Sequence, residues 1–111
     1  MKAKRKVLFL CEANKHRSKT AEALFSQRED LEVRSAGLNE VAEVVVSREL
    51  VEWADVVFVM EKAQRNKLRK LFPDLYAKKA IVCLYVEDHY SYMESALVGL
   101  LRARLAQYLG N

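Results

Sequence analysis

The sequence predicts an α/β fold: three layers, α/β/α, around a four-stranded parallel sheet. Three apolar runs, KVLFLC (6–11), DVVFVM (55–60) and AIVCLYV (80–86), are continuous and rich in β-branched or aromatic residues. Strands covered on both faces read this way, because neither side of the pleat meets water. Helical periodicities fall between and after these runs. A single proline and three glycines leave no room for a linker, so the 111 residues are expected to form one domain, 1–111.

KVLFLC is the first strand. From Thr20 onward, Ala21, Leu24 and Phe25 make the apolar stripe of a first helix. LEVRSAG (31–37) alternates instead, with Leu31, Val33 and Ser35 on one side, as an edge strand does. VAEVVV (41–46) fits helix or strand, and Ser47 then caps a short helix through Trp53. After the third strand, Leu68, Leu71 and Phe72 mark a helix over 61–72 that Pro73 stops. After the fourth, SYME (91–94) is a capping box in which Ser91 and Glu94 satisfy each other's neighbouring N–H groups. Met93, Leu97, Leu100, Leu101, Leu105 and Tyr108 then recur at helical spacing. The resulting β-α-β-α-β-α-β-α order, closed by right-handed crossovers, gives a twisted parallel sheet with helices on both faces.

Half of the residues are hydrophobic, nearly a third are charged, and the net charge is +4. The cations are scattered among acids rather than gathered with aromatic residues. The charge favours anionic partners, the scatter speaks against nucleic acid, a phosphorylated substrate would use the same sign, and MKAKRK and NKLRK (66–70) read as solvated faces. No apolar run reaches bilayer length, and VLFL is too short for a secretory signal core. A cytoplasmic protein with no membrane partner is the expectation. Two cysteines make no disulfide framework.

Cys11 ends the first strand, where parallel sheets place their ligands. The loop after it, CEANKHRS (11–18), leads into a helix, so its backbone N–H groups and the helix N-terminus form an anion cradle. It contains no glycine, and Asn14 is the residue best suited to a left-handed turn there. The field that holds an anion also favours a thiolate at Cys11. Arg17 supplies a planar fork for two phosphoryl oxygens, and Ser18 can donate a hydrogen bond to the sulfur. The cradle comprises Glu12, Ala13, Asn14, Lys15, His16, Arg17 and Ser18.

This loop resembles that of the low-molecular-weight protein tyrosine phosphatase family, which reads Cys-x-x-Asn-x-x-Arg-Ser before a helix opening with Ala-Glu. Cys11, Asn14, Arg17, Ser18, Ala21 and Glu22 match it position by position. RSAG (34–37) and WADVVFVME (53–61) extend the resemblance, which looks closest to a short bacterial branch of predicted phosphatases with an abbreviated middle region. The resemblance implies the phosphotyrosine phosphatase I-like, Rossmann/flavodoxin-like sheet with strand order 2-1-3-4. It implies a metal-free, cofactor-free phosphomonoester hydrolase, acting on phosphotyrosine protein or a small aryl phosphate. Cys11 would form a phosphocysteine, Arg17 and the loop N–H groups would bind the equatorial oxygens, and Ser35 would hydrogen-bond Asn14 to hold the loop.

In that family the general acid is an aspartate on the loop after the last strand. VEDHYSYM (86–93) occupies this place, with Asp88 the candidate and Glu87 and His89 as alternatives. Tyr90 and Tyr92 would wall the substrate ring. Ala13, His16 and Lys19 depart from a frequent glycine, a second cysteine and a proline, and none removes a group the chemistry needs. Cys83 reads as a small buried hydrophobe and Trp53 as a core or rim aromatic. The spacings Cys11-x4-His16 and Cys83-x5-His89 are not those of zinc motifs. Two other functions compete with hydrolysis: arsenate reduction on the same fold, which needs a relay of thiols, and phosphate binding without turnover.

Overall fold

A computed structural model describes residues 3–110; Met1 and Lys2 of the basic leader, and Asn111, lie outside them. Strands β1 (Arg5–Cys11), β2 (Leu31–Gly37), β3 (Val56–Val59) and β4 (Ala80–Cys83) form one parallel sheet. Their order is β2-β1-β3-β4, the order implied by the sequence resemblance. The β1–β2 register ends at Cys11 opposite Gly37. No helix among the described residues is long and apolar enough to cross a membrane.

Strand alternation divides the core into two halves. Val7, Phe9, Cys11, Val56 and Phe58 point to one face, against α1 (Arg17–Phe25) and α5 (Ser95–Leu109). Leu8, Leu10, Val57, Val59 and Cys83 point to the other. There they meet α2 (Arg48–Trp53), α3 (Lys62–Leu71) and α4 (Pro73–Lys78). On α5, Leu97, Leu101, Leu105 and Leu109 recur every fourth residue and are buried. Each contributes roughly 1.5–3 kcal/mol by leaving water.

Several boundaries differ from the sequence expectation, each for a physical reason. Helix α1 starts at Arg17 rather than Thr20. Its first turn buries Arg17, Ser18 and Thr20, polar residues that an apolar stripe does not reveal. Helix α3 ends at Leu71, just before Pro73 as expected, but Pro73 also opens α4, at the position where its missing N–H costs nothing. Strand β4 stops at Cys83, and Tyr85 takes a left-handed φ of 55° that no strand accommodates. The SYME box forms only in part. Glu94 accepts from the Ser91 N–H (3.0 Å), but the segment is a turn and α5 begins at Ser95. Met93 therefore leaves the apolar stripe, exposed and with φ 59°. VAEVVV is neither helix nor strand apart from a bridge of Val45 to Gly37. Ser47 caps α2 as expected, accepting from the Leu50 N–H at 3.2 Å.

Candidate active site

The loop between β1 and α1 is built from behind. The N–H groups of Leu38, Asn39 and Glu43 donate to the carbonyls of Cys11, Glu12 and Ala13, at 2.9, 2.9 and 3.2 Å. With three successive carbonyls held from one side, the loop is left curled. Gly37 makes this approach possible. A Cβ there would lie 2.5 Å from both Glu12 O and Ala42 Cβ and 3.0 Å from Asn14 N. Asn14 supplies the left-handed turn, with φ 54°.

Asn14 is buried, and its amide nitrogen donates to Ser18 Oγ (2.9 Å) and Ser35 Oγ (3.0 Å). Ser35 Oγ lies 2.7 Å from Glu22 Oε1. A carboxylate only accepts, so Ser35 spends its own proton on Glu22 and accepts from Asn14. Ser18 likewise accepts from Asn14, which leaves its proton for Cys11 Sγ at 2.9 Å. Asn14 Oδ1 has no partner, so the amide acts wholly as a donor. The chain Glu22–Ser35–Asn14–Ser18 thus ends in a hydroxyl aimed at the Cys11 sulfur.

Arg17 is 2% exposed. Its Nη1 donates to Glu61 Oε1 (2.6 Å) and to the Val86 carbonyl (2.8 Å), while Nε lies 3.7 Å from Asp88 Oδ1. Glu61 caps α3 and is itself fixed by a reciprocal box with Gln64. Anchored along one edge, the guanidinium keeps its remaining donors for an anion.

A cavity of about 460 Å³ opens over this floor, lined by Cys11, Ala13, Lys15, His16, Arg17, Asp88, His89, Tyr90 and Ser91. Asp88 and Tyr90 thus line the same cavity as the Cys11–Ser18 loop. His89 packs edge-on to Tyr90, with centroids 4.3 Å apart. Glu87 and Tyr92 do not line it, and Tyr92 is half exposed, so the expected second wall residue is absent from the cavity. Asn14 and Ser18 are buried beneath the cavity and shape the loop, and the partly exposed Glu12 does not line it. The sequence reading missed Gly37, Glu61 and the Val86 carbonyl. Only the final residue of WADVVFVME hinted at Glu61.

Cys83 is buried in the half of the core opposite Cys11. The sheet separates the two sulfurs, so Cys83 is not placed to relay oxidation from Cys11. Trp53 is partly buried against the same half, with the Arg34 guanidinium 4.3 Å above its ring.

The family model for low molecular weight phosphotyrosine protein phosphatases matches residues 6–52. No curated protein matches the chain. Among solved structures, a YwlE mutant from Bacillus subtilis is 27% identical, with TM-score 0.67, covering 96% of this chain and 99% of its own. A YwlE arginine phosphatase mutant with a phosphorylated active-site serine is 26% identical, with TM-score 0.67 and coverages of 94% and 95%. Vibrio vulnificus Wzb in complex with benzylphosphonate shares the fold at 19% identity, TM-score 0.75 and coverages of 96% and 97%. The family match over residues 6–52, with the YwlE arginine phosphatase neighbour, indicates a phosphatase hydrolase and does not favour arsenate reduction, while Wzb adds the shared fold alone.

Proposed function

We propose that this chain is a low molecular weight phosphotyrosine protein phosphatase that hydrolyses phosphomonoesters, phosphotyrosine above all, through a phosphocysteine on Cys11. The observation that carries the reading is the position of Cys11 Sγ. It lies at the floor of the cavity, 2.9 Å from the Ser18 hydroxyl, with Arg17 and Asp88 lining the space above it.

In the first step the Cys11 thiolate attacks phosphorus, an S–P bond forms, and the ester P–O bond breaks. Asp88 gives its proton to the departing oxygen. In the second step water attacks phosphorus, the S–P bond breaks, and the water proton returns to Asp88. Arg17 and the loop N–H groups hold the equatorial oxygens throughout, and this fixed field lowers the barrier.

Tyr90, edge-on to His89, offers an aromatic wall to a phenyl ring, while Lys15 adds a cation to the lining. That pairing suits an aryl phosphate better than a cationic phosphoguanidinium. The reading places the enzyme in the cytoplasm, as one domain needing no cofactor.

The test is hydrolysis of para-nitrophenyl phosphate, phosphotyrosine peptide and phosphoarginine by wild type and Cys11→Ser, with orthovanadate as inhibitor. Turnover lost in Cys11→Ser, vanadate inhibition and preference for the aryl substrates are expected. Stoichiometric phosphate binding without turnover would reveal a binding module instead. Preference for phosphoarginine would overturn the substrate class.

A further inference from the structure

The stretch that carries Asp88 enters and leaves through two residues whose backbone is left-handed although neither is glycine. Tyr85 has φ 55° and Met93 φ 59°, and both side chains are substantially exposed, at 58% and 42%. Side chains rarely adopt this conformation, and it persists only where the surroundings impose it. Here packing of the Tyr85 and Met93 side chains into the core does not impose it. Hydrogen bonds from other elements do.

At the entry, Arg104 of α5 donates from Nη1 to the carbonyls of Leu84 (2.6 Å) and Tyr85 (3.3 Å). At the exit, the Met93 N–H donates to Thr20 Oγ1 at 2.9 Å. Thr20 is fully buried and lies one turn beyond Arg17 on α1. Between the two ends, the Val86 carbonyl accepts from Arg17 itself. The loop is therefore tied to the helix that begins with the phosphate-binding arginine.

We propose that Thr20 is a positioning residue for the general acid: by fixing Met93 it holds the Asp88 loop at working distance from the thiolate and Arg17. Neither Oγ1 nor the Met93 N–H touches the reacting atoms, so the effect passes through the placement of Asp88. The proposal rests on Asp88 as the acid.

An acid held out of place matters most where the leaving oxygen is strongly basic. Thr20→Val keeps the shape and removes the acceptor, while Thr20→Ser keeps the acceptor. The experiment compares kcat for phenyl phosphate and para-nitrophenyl phosphate in wild type, Thr20→Val, Thr20→Ser and Asp88→Asn, with thermal melts of each. Thr20→Ala replaces the valine variant should that one not fold.

Thr20→Val is expected to lose about ten-fold on phenyl phosphate and at least five-fold less on para-nitrophenyl phosphate, with Thr20→Ser near wild type. A loss equal on both substrates, or none on either, overturns the proposal even where Asp88→Asn shows the selective loss. Should Asp88→Asn itself show no leaving-group dependence, the acid assignment fails and takes this proposal with it.

Discussion

Glu61 Oε1 lies 2.6 Å from Arg17 Nη1, so an acid at the end of one strand fixes the arginine that follows another. The contact joins the N-cap of α3 to the first residue of α1 across the top of the sheet. It acts in two opposing ways. In the proposed mechanism it orients the guanidinium for the transition state, and it offsets charge that would attract any anion.

Orientation decides the rate, so Glu61→Ala is expected to lower kcat about ten-fold while KM changes little, the equivalent of roughly 1.4 kcal/mol. Glu61→Gln retains a carbonyl acceptor and should keep most of the rate. Steady-state kinetics on para-nitrophenyl phosphate decide the matter. A Glu61→Ala enzyme with wild-type kcat would mean that Val86 alone suffices to hold the fork.

Gly37 is the tightest point of the site. The β-carbon of Gly37→Ala would stand 2.5 Å from Glu12 O, which is backbone and cannot swing away. The loop must shift, and overpacking of this kind costs roughly 1–3 kcal/mol. A lower melting temperature together with weakened orthovanadate inhibition is expected. Loss of stability with full vanadate affinity would show that the loop shape does not depend on this contact.

Much of this site was legible along the chain because its groups come from consecutive residues. Cys11, Asn14, Arg17 and Ser18 lie in one strand-to-helix loop, and a loop without glycine leaves Asn14 as the turn residue. The rest depends on contacts between distant segments. Nothing local marks Gly37 as a point of close approach, since the carbonyl it admits belongs to Glu12. Glu61 reads as one more surface acid until β3 sets it beside β1. The start of α1 was misplaced because burial there serves polar groups, which a hydrophobic stripe cannot register. The end of β4 was misplaced because LYV continues the apolar pattern, while Tyr85 turns the chain out of the sheet.

Asn14 combines a conformational and a bonding role, and two substitutions separate them. Asn14→Gly keeps the φ of 54° accessible but loses both donors. Asn14→Ala loses both donors and also strains the turn. Buried acceptors left unpaired cost roughly 1–3 kcal/mol each, so both variants should melt well below wild type, alanine lower than glycine. Ser35→Ala breaks one Asn14 bond and the bond to Glu22 but keeps the turn and the Asn14–Ser18 bond, so it should be milder than the alanine variant of Asn14. Equal melting temperatures for the glycine and alanine variants would show that the left-handed turn itself is not costly here.

Away from the site, Arg48 grips Asp74 with both nitrogens, Nη2 to Oδ1 at 2.8 Å and Nη1 to Oδ2 at 3.0 Å, joining the start of α2 to the start of α4. The hydrogen bond to Arg48 holds the Asp74 carboxyl below its ordinary range. A carboxyl with a depressed folded-state value stabilises the fold above the unfolded value, roughly pH 4. That contribution disappears as pH falls through the lower folded value. Asp74→Asn is therefore expected to lower the melting temperature slightly between pH 5 and 7, on the order of a degree or two, and by nothing once the pH has fallen below the folded-state value. Added salt should shrink the neutral-pH difference, because both partners are exposed. A difference that persists unchanged into acid would locate the role of Asp74 in the first turn of α4 rather than in the ion pair.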